Sequence, residues 1–323
     1  MTEIVLAVDL GGTNIRMAAV DRSGRLLSHS KESTPQGMTP DQLIDLAGTM
    51  GETCRAEVHG EARLVGVGFA VPAPAAKDFD GVLTKLPNLP TLQGMNLITA
   101  LQKVFAVPIS VENDATAAAI GEDWLGATRD VANSICVTLG TGIGGGIILN
   151  DEPLRGPDGT GGEIGHICVV PDGHPCGCGS NGCVEQYASA TAIVRLAREA
   201  GMNVSNSHDV FNAFEAGDET AIGVFKTAGR YLGIMLGGLV NAINPDRTVV
   251  CGGVTAAWEA FAPHTSAEIA YRAYEAPASR ATLVAGELGD DAGILGAARS
   301  AFANASFHCE SRIANVGGRR TMG

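Results

Sequence analysis

One stretch limits the fold of this chain more than any other. Gly162–Glu185 reads GEIGHICVVPDGHPCGCGSNGCVE, with Cys176, Cys178 and Cys183 in a C-x-C-x4-C spacing. Gly177, Gly179 and Gly182 stand among these cysteines, and glycine lets the backbone bend tightly enough to aim neighbouring thiolates at one point. Three thiolates and one imidazole are the donor set of a closed, tetrahedral structural zinc site. The spacing leaves the fourth ligand open: His166 lies upstream, His174 competes with it, and Cys168 is the weakest of the three. Glu163 and Glu185 flank the stretch, and a metal joining its two ends brings those carboxylates towards one place. The reading is a loop fixed by metal that holds a polar ligand. The alternative is a chance Cys/Gly-rich loop with free thiols.

A chain of 323 residues has room for two domains, and 45% hydrophobic with 18% charged residues fits a globular protein with a sizeable core. The formal net charge of -13 opposes non-specific binding to nucleic acid or to an anionic membrane, both of which favour a basic surface. The start, MTEIVLAVDLGG, has no basic segment before its apolar run and does not read as a signal peptide. No apolar run approaches the roughly 18 residues of a membrane span. Cys54, Cys136, Cys168, Cys251 and Cys309 show no framework spacing, so the cytoplasm is the expected compartment.

Two segments share one design. Ile4–Leu10 is apolar, Asp9-Leu10-Gly11-Gly12-Thr13-Asn14 follows, and an apolar pattern resumes to Asp21. Ser134–Leu139 is apolar, Gly140-Thr141-Gly142-Ile143-Gly144-Gly145-Gly146 follows, and Ile147–Leu149 returns. Each reads as strand, Gly/Thr turn, strand. The amides of such turns can hold phosphate oxygens, and Asp9 is suited to Mg2+ through water. The repetition predicts an internally duplicated fold whose halves face one nucleotide. Gly252-Gly253 follows a further strand, Thr248–Cys251.

Between these segments, Pro40–Glu57 has helical spacing. Asn88, within Leu86-Pro87-Asn88-Leu89-Pro90, is a turn former or a ligand donor. Pro108–Glu112 is a short strand, and Asn113-Asp114 precedes an alanine-rich run. Asp114 there either caps a helix or presents a carboxylate to a cleft at the strand's C-terminal end. Glu219–Asn241 carries the apolar stripe of a long helix, Glu287–Ala297 leads into the last helix, and Asn315–Gly323 is polar and glycine-rich.

Taken together, these residues resemble the ROK family of sugar kinases over nearly the whole chain. Asp9–Thr13 and Leu139–Gly146 are similar to its two phosphate loops, and Glu112–Glu122 to its connecting segment. Glu163-Ile164-Gly165-His166 resembles its E-x-G-H motif, and Cys176–Glu185 its cysteine signature. Val250–Val254 and Asp291–Ala297 look like its adenosine segment and second connecting segment. The resemblance implies an α/β, duplicated actin-like/ribonuclease H-like ATPase fold with two domains around a cleft. Residues 1–113 plus 292–306 would form the small domain, 114–291 the large one with the zinc loop, and 307–323 a flexible tail.

It further implies ATP, Mg2+ and structural Zn2+ as cofactors, and glucose or a related hexose, phosphorylated at its 6-hydroxyl, as substrate. Asp114 would be the general base, with Asn88, Asn113, Asp114, Glu163, His166 and Glu185 holding the sugar, beside the Pro72-Ala73 turn. Asp9, Gly11, Gly12, Thr13, Asn14, Thr141, Gly142, Gly144, Gly252 and Gly253 would hold the nucleotide. His166, Cys176, Cys178 and Cys183 would bind zinc, His166 serving metal and sugar through different nitrogens. A homodimer or higher homo-oligomer is implied, with no nucleic-acid or membrane partner. Asn14 stands where many relatives carry Lys. Rival readings are an N-acetylmannosamine or N-acetylglucosamine kinase, a polyphosphate-using enzyme, and a sugar-sensing repressor, which needs a helix-turn-helix module with no room before Ile4.

Overall fold

The computed structural model describes residues 1–75, 80–84, 86 and 88–317, with side chains as far as Phe307. Pro87 of the proline loop and residues 318–323 of the expected tail lie outside the described residues.

The chain forms two compact units. The first opens with β1 (Thr2–Leu10), β2 (Asn14–Asp21) and β3 (Leu26–Ser33), then α1 (Pro40–Ala56) and β4 (Ala62–Val71). A short helix α2 (Leu97–Leu101), β5 (Ile109–Asn113) and α3 (Asp114–Leu125) follow, and the last helix of the chain, Ala292–Gly317, returns to this unit. Its sheet runs β3-β2-β1-β4-β5, antiparallel across β3, β2 and β1 and parallel from β1 through β4 to β5. The tight turns follow from local chemistry. Thr39 and Gln42 close a reciprocal capping box at the start of α1, with Pro40 in its first turn. The Gly11 amide donates to the Asn14 carbonyl at 2.9 Å, closing the β1–β2 hairpin.

The second unit contains β6 (Asn133–Leu139), β7 (Ile143–Leu149) and β8 (Glu152–Pro153), then α4 (Glu185–Ala188), α5 (Ala190–Glu199), α6 (Ser207–Glu215) and α7 (Glu219–Ile243). β9 (Arg247–Cys251), α8 (Trp258–Arg272), α9 (Glu275–Arg280) and β10 (Thr282–Ala285) complete it. The sheet order is β10-β9-β6-β7-β8, antiparallel across β8, β7 and β6 and parallel from β6 to β9 and β10. Read from the hairpin outward, both sheets follow the same path: a three-strand meander, then two parallel strands added beside the first. This is the duplication that the repeated Gly/Thr segments predict.

Each unit has its own core. Residues such as Leu6, Met17, Leu43 and Phe69 fill the first, and Val137, Phe225, Leu232 and Leu236 the second. The first unit extends to Leu125 and takes in Arg155–Thr160, beyond the limit at Asn113 set from the sequence. The reason is close packing of α3 on the last helix. A Cβ at Gly296 would stand 1.7 Å from the Ala117 carbonyl oxygen, so only glycine permits this backbone approach. The last helix runs unbroken through Gly317, past the end at 306 read from the sequence.

Candidate functional site

The described residues place the predicted groups in two sets, one in each unit. In the first, Asn113 ends β5 and accepts hydrogen bonds from the Ala115 and Thr116 amides at 3.0 and 3.1 Å. It is therefore the helix cap, and Asp114, the first residue of α3, is exposed, with one carboxylate oxygen 2.8 Å from the Ala115 amide. The Asn113 side-chain amide also reaches the Ala73 carbonyl at 3.4 Å, which puts the Pro72-Ala73 turn beside the cap. Asn88 packs on the first glycine loop, since a Cβ at Gly12 would lie 2.9 Å from its own. Gly12 and Thr13 are exposed at the hairpin tip, and Asn14 is half-buried.

Asp9 has a partner that sequence reading missed. Arg16, its register mate on β2, donates to the carboxylate at 2.5 Å. Arg16 follows Asn14 by two positions on a strand and so shares its face, which supplies a cation beside the first glycine loop. That i, i+2 spacing was the available signal. A second unassigned contact lies on β5 immediately before Asn113: Glu112, buried, accepts from Arg155 Nη2 at 2.5 Å and Nε at 3.0 Å, and from the Ser300 hydroxyl at 3.0 Å.

In the second unit, one imidazole, three cysteine sulfurs and two carboxylates come together. The ligand atoms of His166, Cys176, Cys178 and Cys183 all lie within 4.8 Å of one another. Cys178 and Cys183 sulfurs are 3.6 Å apart, and Cys176 Sγ is 3.5 Å from His166 Nδ1. A tetrahedral zinc with ordinary bond lengths has S···S and S···N edges of about 3.8 and 3.6 Å, so the donor set fits that ion. Burial, reinforced by the neighbouring Cys176 and Cys178 thiols, pushes the Cys183 thiol up to about 12, while the Ser180 amide pulls Cys178 down. Three thiols so placed are poor company for one another as thiolates, and a divalent cation removes that conflict.

His166 turns its other nitrogen, Nε2, towards Glu163 at 3.9 Å. His174 faces elsewhere: its Nε2 accepts from Arg195 at 2.8 Å, and its ring lies against Tyr187. Neither His174 nor Cys168 belongs to the ligand group found among the described residues. Glu185, at the start of α4, accepts from the Ile143 amide at 2.9 Å through one oxygen, and its other oxygen is 4.0 Å from Cys176 Sγ. A Cβ at Gly142 would lie 2.3 Å from that first oxygen, and one at Gly165 would lie 2.0 Å from the Ile143 carbonyl. The second glycine loop therefore touches both halves of the cysteine stretch. Gly252, at a φ of 93°, closes on the same loop, where a Cβ would meet the Leu139 carbonyl at 2.4 Å; Gly253 beside it is exposed.

A model of the ROK family matches residues 5–303 of this chain. The chain belongs to the ROK family. A glucokinase of Halalkalibacterium halodurans is 34% identical to this ROK protein over 310 residues, 90% of this chain and 92% of the relative. The xylose repressor of Bacillus subtilis is 29% identical over 90% of this chain and 75% of the relative. A ROK hexokinase from Thermus thermophilus matches with a TM-score of 0.82 at 34% identity, over 94% of this chain and 99% of the other. A ROK family glucokinase from Streptomyces griseus, solved with glucose and AMPPNP, matches with a TM-score of 0.75 at 31% identity, over 93% of this chain and 99% of the other. The ROK protein thus has the actin-like ATPase fold that its resemblance to the family implied. No helix among its described residues is long and apolar enough to cross a membrane.

Proposed function

We propose that this ROK protein transfers the terminal phosphoryl group of ATP to the 6-hydroxyl of glucose. The observation that carries the reading is the posture of His166, one nitrogen among thiols and the other beside Glu163. An imidazole held in this way presents a fixed polar edge to a ligand, with the Glu163 carboxylate beside that edge. Glu163 and Glu185 supply acceptors for vicinal hydroxyls, and Asn88 and Asn113 supply groups that both donate and accept. Glucokinases among the relatives, 34% identical in the H. halodurans case, support glucose as the acceptor.

Asp114 takes the 6-hydroxyl proton as the new bond to phosphorus forms. It is exposed at the first turn of α3, where the Asn113 side chain caps the helix. The amides of Gly11–Asn14 and Thr141–Gly144 and the Arg16 guanidinium would meet phosphate charge, and Asp9 would hold Mg2+, which would neutralise part of that charge. His166, Cys176, Cys178 and Cys183 would hold zinc, which would supply rigidity, since a closed four-ligand site leaves no open position for chemistry.

The deciding experiment is a coupled ADP-release assay with glucose, mannose, fructose, N-acetylmannosamine and N-acetylglucosamine, repeated with polyphosphate in place of ATP. Glucose should give the highest kcat/KM. A higher value for an N-acetylhexosamine reassigns the acceptor. Sugar binding without turnover under any donor removes the kinase reading in favour of a sensor like the repressor relatives.

A further inference from the structure

We propose that Glu185 is a strut joining the sugar site to the second glycine loop, so that each half of the site reports its occupancy to the other through one carboxylate. The inference rests on the sugar-kinase reading above and adds a coupling to it. Three facts carry it. One oxygen of Glu185 accepts the Ile143 amide at 2.9 Å. That amide belongs to the loop that the reading above assigns to phosphate, so the carboxylate holds this loop without being a phosphate ligand itself. The other oxygen points to the side where Cys176 stands, 4.0 Å away, and Cys176 in turn meets His166.

Second, the loop closes directly on this carboxylate: a Cβ at Gly142 would sit 2.3 Å from the Glu185 oxygen, so a side chain there displaces the carboxylate. Third, residues just past Glu185 hold the same loop. The Ala190 amide donates to the Gly140 carbonyl at 2.9 Å, and the Thr191 hydroxyl to the Thr141 carbonyl at 2.8 Å. The segment from Glu185 to Thr191 therefore grips the loop at residues 140, 141 and 143. A sugar hydroxyl that donates to Glu185 shares the charge that the Ile143 amide also uses. Reorienting the carboxylate moves the loop, and a loop ordered by phosphate fixes the carboxylate. Coupling between two sites acts equally in both directions.

Calorimetry on the zinc-loaded protein tests this with each ligand alone. Gly142→Ala should weaken glucose binding about fivefold or more in the absence of nucleotide, although Gly142 is assigned to the nucleotide loop. Glu185→Asp keeps the charge but withdraws it from Ile143, and should weaken AMPPNP·Mg2+ binding in the absence of sugar by roughly tenfold, the order of a lost charge-assisted hydrogen bond. Zinc content and melting temperature are measured for each variant. Wild-type glucose affinity in a folded Gly142→Ala, or wild-type AMPPNP affinity in Glu185→Asp, overturns the strut. If Gly142→Ala fails to fold, the Glu185→Asp measurement decides alone. A wild-type protein that binds AMPPNP but no glucose sinks the sugar reading instead, and the Glu185→Asp result still decides whether Glu185 sets the loop.

Discussion

Asp114 and Glu163 are both exposed carboxylates, yet the roles proposed for them predict different kinetics. Asp114→Asn keeps shape but removes the proton acceptor. Because Asn113 caps α3 through the Thr116 amide, the fold should survive the change. Loss of a general base typically costs about 10²–10⁴-fold in rate, so kcat should fall by at least that order while calorimetric glucose affinity stays near wild type. Glu163→Gln should raise KM more than it lowers kcat, since hydroxyl binding is shared by ground and transition states. Near wild-type kcat in Asp114→Asn would remove it from the base role. At this scale the sequence offered candidate side chains, because motif residues recur at short spacing, and four of them, His166, Cys176, Cys178 and Cys183, do lie together. Arg16 escaped notice because its importance lies in facing Asp9 across a hairpin, a relation that appears only once the register is fixed.

The cysteine loop behaves as an element whose shape depends on its ligand atoms. Cys178→Ala should lose zinc and glucose affinity together, because Cys178 and His166 belong to one ligand group and His166 also faces Glu163. Metal analysis beside glucose titration checks this, and retained zinc with normal affinity would refute the link. A second element is fixed by charge. Glu112 is 5% exposed, at the end of edge strand β5, and Arg155 reaches it from the segment before the cysteine loop. Arg155→Met leaves that carboxylate buried with Ser300 alone, and breaking a buried pair on one side costs about 3–5 kcal/mol. Chemical denaturation should show such a loss for Arg155→Met and a smaller one for Arg155→Met with Glu112→Gln; equal losses would mean that the charge is not the cause. Hairpins, helices and the metal loop were legible as sequence patterns because each is made by near neighbours. The reach of α3 and Arg155–Thr160 into the first unit was not, because it depends on Gly296 against Ala117 and on a pair 43 residues apart.

For the whole molecule, duplication has a consequence for stability. The two buried clusters share no residue: the first lies within residues 4–111 and the second within residues 135–269. All four candidate zinc ligands stand in the second unit. Metal removal should therefore weaken one unit first, since the binding free energy of a structural metal is part of the folding free energy of the region that holds it. The chain carries two tryptophans, one per unit. Trp124 on α3 meets Phe302 edge-on at 6.5 Å, and Trp258 at the start of α8 meets Phe261 at 5.6 Å. Trp258→Phe leaves a reporter of the first unit, and Trp124→Phe one of the second. With a zinc chelator, melting followed by Trp258 should move down by about 5 °C or more, while melting followed by Trp124 moves little. Glucose, added to the zinc-loaded protein, should raise the Trp258 transition through its linkage to the native state. Equal shifts of both reporters on chelation would show that the units unfold as one cooperative body, and separate cores would then have no separate stability.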